Sequence, residues 1–324
     1  MQLISGGRTG PFATSSPRLR VERRYDAAVD LPVVREPVPP APQPQVSARF
    51  DPELRTLWLY MHLQPRPCFN TAFLAELGVH TRRLHARRGV TSHDGRDHHI
   101  ACAVIASATP GMFSLGGDLA LFRDAILHRD RETLMRYGRQ CIDSQWRWHH
   151  EFDAGITTIA LVQGQALGGG LECALSTSIL VAEESARMGL PEVRFNLFPG
   201  MGAYSFLSRK VGRRVAEEMI TSGTIYTARD LHAMGVVDVL APDGGGEAAV
   251  DRVIRERAAG ASGPLDLVRH AVEPVPSMEL YRIVELWVDA ALKLEPRDLG
   301  LMERLVRAQN RCMAAAPRGV RLEC

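Results

Sequence analysis

The sequence predicts an α/β fold, and three observations carry that expectation. Short apolar runs recur at Ile100–Ala106, Thr157–Gln163 and Ile179–Ala182, and stretches with helical spacing lie between and after them. One run leads into three glycines and a helix-forming segment, Leu161-Val-Gln-Gly-Gln-Ala-Leu-Gly-Gly-Gly-Leu-Glu-Cys173. From about residue 247 onward the pattern is helical alone. A chain of 324 residues, 45% hydrophobic and 23% charged, suits one large core with an appendage.

Bulk properties narrow the function classes. A net charge of +2 is too mild for nucleic acid, which calls for a clustered basic face. No run reaches the ~18 apolar residues of a membrane span, and the N-terminus has no signal pattern, so a soluble cytoplasmic protein is expected. The six cysteines form no C-x-x-C pair and no metal spacing, and are read as reduced thiols.

Taken in order, residues 1–45 hold eight of the 20 prolines, with Arg18, Arg20, Arg23 and Arg24 among them. Such a segment buries too little apolar surface to order itself and reads as a disordered tail. Val46–Phe50 and Thr56–His62 form two strands about the turn Asp51-Pro52. Asn70 caps a helix carrying Phe73, Leu74, Leu77 and Leu84, which stops at Gly89. Arg82, Arg83, Arg87 and Arg88 near its end fit a solvated face that complements the helix dipole, or a docking patch for an acidic carrier protein. His93, Asp94, Asp97, His98 and His99 read as a polar turn, because their spacing matches no ligand pattern.

In Gly111-Met-Phe-Ser-Leu-Gly-Gly-Asp118, the acid caps the next helix and the glycine pair exposes backbone N–H groups. A helical region with Trp146 and Trp148 follows, and the tryptophans read as packing residues. Pro191 is expected to keep Glu192 out of a helix. Phe195–Tyr204 is a rigid turn before the next helix, and Thr227–Asp230 reads as a capped helix start ending at Gly235. Val236–Leu240 is the final strand and Gly244-Gly245-Gly246 a flexible turn. Between Met278 and Leu294, the residues Leu280, Ile283, Val284, Trp287, Val288 and Ala291 form one apolar stripe. The divisions are a tail over 1–45, an α/β core over 46–260 and a C-terminal helical region over 261–324.

Two glycine-rich loops with N–H donors and two acids are the minimum kit for proton transfer beside a carbonyl. The loops hold an enolate oxygen while the carboxylates move protons. Glu172 and Glu192 are separated by enough chain for helix, strand and return. No G-x-S-x-G elbow, P-loop or dinucleotide fingerprint competes with this reading. Cys173 reads as a packing thiol rather than a nucleophile.

Phe113-Ser-Leu-Gly-Gly-Asp118, Gln163-Gly-Gln-Ala-Leu-Gly-Gly-Gly-Leu-Glu172 and Gly189-Leu-Pro-Glu192 together resemble the enoyl-CoA hydratase/isomerase, or crotonase, superfamily, over roughly Val46 to Arg311. The resemblance implies a crotonase-type spiral of ββα units with C-terminal helices that build trimers. It implies Glu172 and Glu192 as catalytic acids and an oxyanion hole from the N–H groups of Gly117 and Gly169. A finer resemblance is to the diffusible-signal-factor synthases, which make cis-2-unsaturated fatty acid quorum signals. Gly116–Phe122, Met188–Val193, Phe195–Phe206, Glu285–Asp289 and Arg304–Gln309 carry it. Where hydratases usually continue Pro199-Gly200 with a Gly-Gly-Thr-like segment, this chain has Met201-Gly-Ala-Tyr.

That likeness implies a 3-hydroxyacyl dehydratase that also releases the acid, on a substrate of about twelve carbons carried by acyl carrier protein. Gly116, Leu167, Gly168, Met201, Trp287 and Leu305 would contact the substrate, with no cofactor beyond the thioester carrier and no metal. Glu192 is taken as the α-proton base and Glu172 as the acid at the hydroxyl. The alternatives are a hydratase or isomerase of CoA thioesters with the same residues, and a non-enzymatic partner of a sensor-kinase receiver domain.

Overall fold

The computed structural model describes residues 44–260, 268, 271–272 and 274–315. Apart from Pro44 and Gln45, the expected Pro/Arg-rich tail lies outside the described residues. The chain opens with a hairpin of β1 (Val46–Asp51) and β2 (Thr56–Met61), with Val46 opposite Met61. Helix α1 (Thr71–Ala86) follows, and its cap is as the sequence implies: the Asn70 side chain accepts the N–H of Phe73 at 2.9 Å. The acidic and histidine-rich stretch after it is a second hairpin, β3 (Val90–His93) with β4 (Arg96–His99), rather than an irregular turn. Asp94 and Gly95, both at positive φ, make its two-residue connection.

From there the chain repeats one move three times. A strand of a six-stranded sheet turns into a three-residue strand of a smaller sheet, and helical structure follows. The first round is β5 (Cys102–Ser107), β6 (Met112–Ser114), α2 (Leu119–Leu127) and α3 (Arg131–His149). The second is β7 (Thr157–Val162), β8 (Gln165–Leu167) and α4 (Gly169–Leu175). The third is β9 (Ile179–Glu183), β10 (Arg187–Gly189), a 3-10 turn over Pro191–Phe195, then α5 (Ala203–Val211) and α6 (Arg213–Ser222). After β11 (Ile225–Thr227), α7 (Ala228–Ala233) and β12 (Val239–Ala241) come α8 (Gly246–Ala258), α9 (Ser277–Ala291) and α10 (Pro296–Ala315). The large sheet runs β1-β2-β5-β7-β9-β12, parallel from β2 onward, and the small sheet runs β11-β10-β8-β6.

Both faces of the large sheet are covered, which explains the near-continuous apolar character of its strands. Ala103 and Ile105 face the main core, whereas Cys102, Val104 and Ala106 face a second cluster closed by Ala249, Val250, Val253 and Ile254 of α8. Trp148 is buried in the main core, and Trp146 lies partly buried beside His150.

Several sequence expectations are corrected. The apolar run before the glycines is not one strand, since it breaks after Val162 and changes sheet. Gly164 makes the corner at φ 123°, where a Cβ would lie 2.1 Å from the Gly111 carbonyl. Only glycine fits both constraints. Pro191 opens a 3-10 turn instead of preventing one, because the first residue of such a turn has no N–H bond to lose. The final strand is Val239–Ala241, shorter and shifted from Val236–Leu240. Gly246 already belongs to α8, its N–H donating to Glu183 at 3.1 Å. On the α9 stripe, Leu280, Val284, Trp287, Val288 and Ala291 are buried, whereas Ile283 is only partly covered.

Candidate active site

The spiral brings the ends of β6 and β8 side by side, and each strand leads into one glycine loop. The first loop is braced from below. Asp118 caps α2 through the N–H groups of Ala120 and Leu121, and it binds Arg66 at 2.7 Å. Tyr137 of α3 accepts the N–H of Asp118 and donates to the Phe69 carbonyl at 2.6 Å. In the second loop, Gly169 is the first residue of α4, so its N–H has no carbonyl within the helix to bind. The two loops nearly touch: a Cβ on Gly169 would lie 3.3 Å from the Gly117 nitrogen. Both glycines line a cavity of about 90 Å³.

Glu172 sits one turn into α4 and is 1% exposed. Its Oε1 accepts the N–H groups of Met201 at 2.7 Å and Ala203 at 3.0 Å. Burial raises its pKa to about 7, and those two backbone bonds favour the ionised form. Glu192 enters from the 3-10 turn. Part of the residue stays open, but Oε2 is buried with no hydrogen-bond partner. Burial, then repulsion from Glu172, raise its pKa well above the ordinary glutamate range. Gly168 makes room for this acid, because a Cβ there would stand 2.5 Å from Glu192 Oε1. Its backbone, at φ 53° and ψ −124°, suits glycine alone.

The two carboxylates thus differ in kind. Glu172 is held by donors that reward the charge, whereas Glu192 has burial and a neighbouring acid against it. The pair shares protons as a unit, with the charge resting first on Glu172.

Of the residues expected from the sequence, Gly117, Gly169, Glu172, Glu192, Leu167, Gly168, Met201, Trp287 and Leu305 all line the cavity. Gly116 does not. It stands behind the loop at φ 91°, where a Cβ would meet the Leu167 carbonyl at 2.6 Å. Trp287 comes from α9 and packs edge-on against Phe122 with ring centroids 5.0 Å apart. Sequence reasoning passed over Phe69, Phe122, Tyr137, Cys141 and Gln145, which also line the wall. Tyr137, Cys141 and Gln145 follow i, i+4, i+8 spacing on α3, a helical stripe that periodicity alone displays. Burial, with the charge of Glu172 next, holds the Cys141 thiol well above its ordinary pKa, which keeps it protonated.

Among the described residues, no group of His, Cys, Asp and Glu is placed to hold a metal ion, and no helix is long and apolar enough to cross a membrane. Cys68, Cys102, Cys141 and Cys173 are buried free thiols.

Paired glycine loops facing two acids, one buried and one partly open, on a ββα spiral define the crotonase class. The chain belongs to the enoyl-CoA hydratase/isomerase family, whose model matches residues 93–268. Family members are hydratases and isomerases. The chain is 36% identical over 156 residues to the fatty acid oxidation complex subunit alpha of Pseudomonas savastanoi, covering 47% of this chain and 21% of that one. It is 43% identical over 97 residues to the mevalonyl-coenzyme A hydratase SIDH of Beauveria bassiana, covering 30% and 34%. The matches thus span only about a fifth to a third of the length of these curated relatives. The fold is similar to that of Pseudomonas aeruginosa DspI, with a TM-score of 0.57 and 23% identity over 82% of this chain and 87% of that one.

Proposed function

We propose that this protein dehydrates 3-hydroxyacyl thioesters, taking the α-proton with one glutamate and protonating the departing hydroxyl with the other. The observation that carries this reading is the unequal pair of buried acids beside the two glycine amides. The N–H groups of Gly117 and Gly169 would polarise the thioester carbonyl, and enolate charge would build on its oxygen. Dehydration needs one ionised and one protonated carboxyl in the free enzyme. Glu172, held by two N–H donors, suits the base, and Glu192 suits the acid. This reverses the roles taken from the sequence.

The finer reading is a substrate of about twelve carbons on acyl carrier protein, with release of a cis-2-unsaturated acid in the cytoplasm. Its support is the set of sequence motifs shared with diffusible-signal-factor synthases, including the Met201-Gly-Ala-Tyr segment whose amides bind Glu172. Thioester hydrolysis would reuse the pair, with one carboxylate activating water. The second reading is a CoA thioester hydratase or isomerase, favoured by the names of the relatives.

Incubating the protein with 3-hydroxydodecanoyl thioesters of acyl carrier protein and of CoA, then identifying products by mass spectrometry, tests these readings. Free cis-2-enoic acid from the carrier-protein substrate supports the finer one. Trans-2-enoyl-CoA alone supports the second, and unaltered substrate in both reactions rules out the dehydratase reading.

A further inference from the structure

Gln145 stands in the cavity wall and has no task in the chemistry above. It is 4% exposed, and its Oε1 is buried with no hydrogen-bond partner. It lies one turn along α3 from Cys141, whose thiol feels the charge of Glu172, and two turns from Tyr137. The Tyr137 hydroxyl is already used by Phe69 and Asp118. The other side chains of the wall are apolar, apart from the two acids and the donor-only indole N–H of Trp287. A leucine or methionine would fill this helical position with no unmet polar atom, so the buried amide carries a cost that a purely alkyl acyl chain never offsets.

We infer that Gln145 sets substrate specificity, its Oε1 accepting a hydrogen bond from a hydroxyl carried by the acyl chain beyond the reacting 3-position. The 3-hydroxyl has the two carboxylates as its partners, which leaves the third acceptor of the wall for a second donor. The preferred substrate class is then an acyl thioester with a hydroxyl further along its tail. The inference rests on the acyl-thioester reading of the cavity.

The test compares binding of hexanoyl-CoA and 5-hydroxyhexanoyl-CoA, six-carbon probes that lack the reacting hydroxyl, by titration calorimetry. Wild type and two nearly isosteric variants, Gln145→Leu and Gln145→Met, are measured after circular dichroism shows that they fold. Wild type is expected to favour the hydroxylated probe by roughly tenfold or more, the size of one buried hydrogen bond. In either variant the preference should vanish or invert, with hexanoyl-CoA bound at least as tightly as by wild type. An equal affinity of wild type for the two probes, or a preference unchanged in both variants, overturns the inference. Turnover of the 3-hydroxyhexanoyl thioesters of acyl carrier protein and of CoA, followed in parallel, judges the dehydratase reading separately. Turnover with an unaltered binding ratio removes only the role of Gln145, whereas an altered ratio without turnover removes only the dehydratase reading.

Discussion

The carboxylate of Glu172 accepts the backbone N–H of Met201 at 2.7 Å, which ties the acid on α4 to the loop that walls the cavity. The bond does two things at once. It fixes the orientation of the carboxylate, and it offsets part of the cost of burying a charge. Glu192 has burial without that compensation at Oε2. The difference between the two acids decides how the site should respond to pH and to substitution.

The acid limb of kcat/KM for dehydration is expected near pH 7, where Glu172 ionises, and not near 4.5 as for an ordinary glutamate. At higher pH the rate should fall again as Glu192 loses its proton. A pH–rate profile with a 3-hydroxyacyl thioester checks this. An acid limb at the usual carboxylate position would show that Glu172 is not the base.

Glu172→Gln and Glu192→Gln should each lower kcat by about 10²- to 10⁴-fold with KM changed little, because both remove proton transfer and leave the apolar wall intact. Steady-state kinetics on each variant gives the split. A large rise in KM with kcat retained would mark the residue as a binding group only.

The acids should also cost stability. A carboxyl whose folded pKa lies above its unfolded value stabilises the fold fully below the unfolded pKa, and that contribution is lost as pH rises toward the folded pKa. Burial and Glu172 raise the pKa of Glu192, so Glu192→Gln should match wild type near pH 4.5 and exceed it in Tm by about 2–6 °C at pH 8. Melting curves across that range test the sign. A variant less stable than wild type at pH 8 contradicts it.

Gly168→Ala should abolish most activity, by more than about tenfold, because the new methyl group would stand 2.5 Å from Glu192 Oε1. The positive φ adds a stability loss of about 1–2 kcal/mol. Gly95→Ala, at positive φ but with no atom within 4 Å of the added carbon, is the control: it should lose stability and keep its rate. Equal kinetic losses in the two variants would remove the special place of Gly168.

The sequence by itself determined the α/β class, the caps at Asn70 and Asp118, and the nine lining residues that the motifs name. Caps, glycine turns and acids next to glycines act over a few residues, so their signals survive in one dimension. Only the tertiary structure sets the two acids apart, because that depends on Met201 and Ala203 donating to Glu172 across 29 and 31 residues. It alone split the run before the glycines between two sheets, since the corner at Gly164 is imposed by the distant backbone of Gly111. And it alone brought Gln145 into the wall: periodicity puts Gln145 on a face of α3, but only the packing of that helix shows that the face meets the cavity.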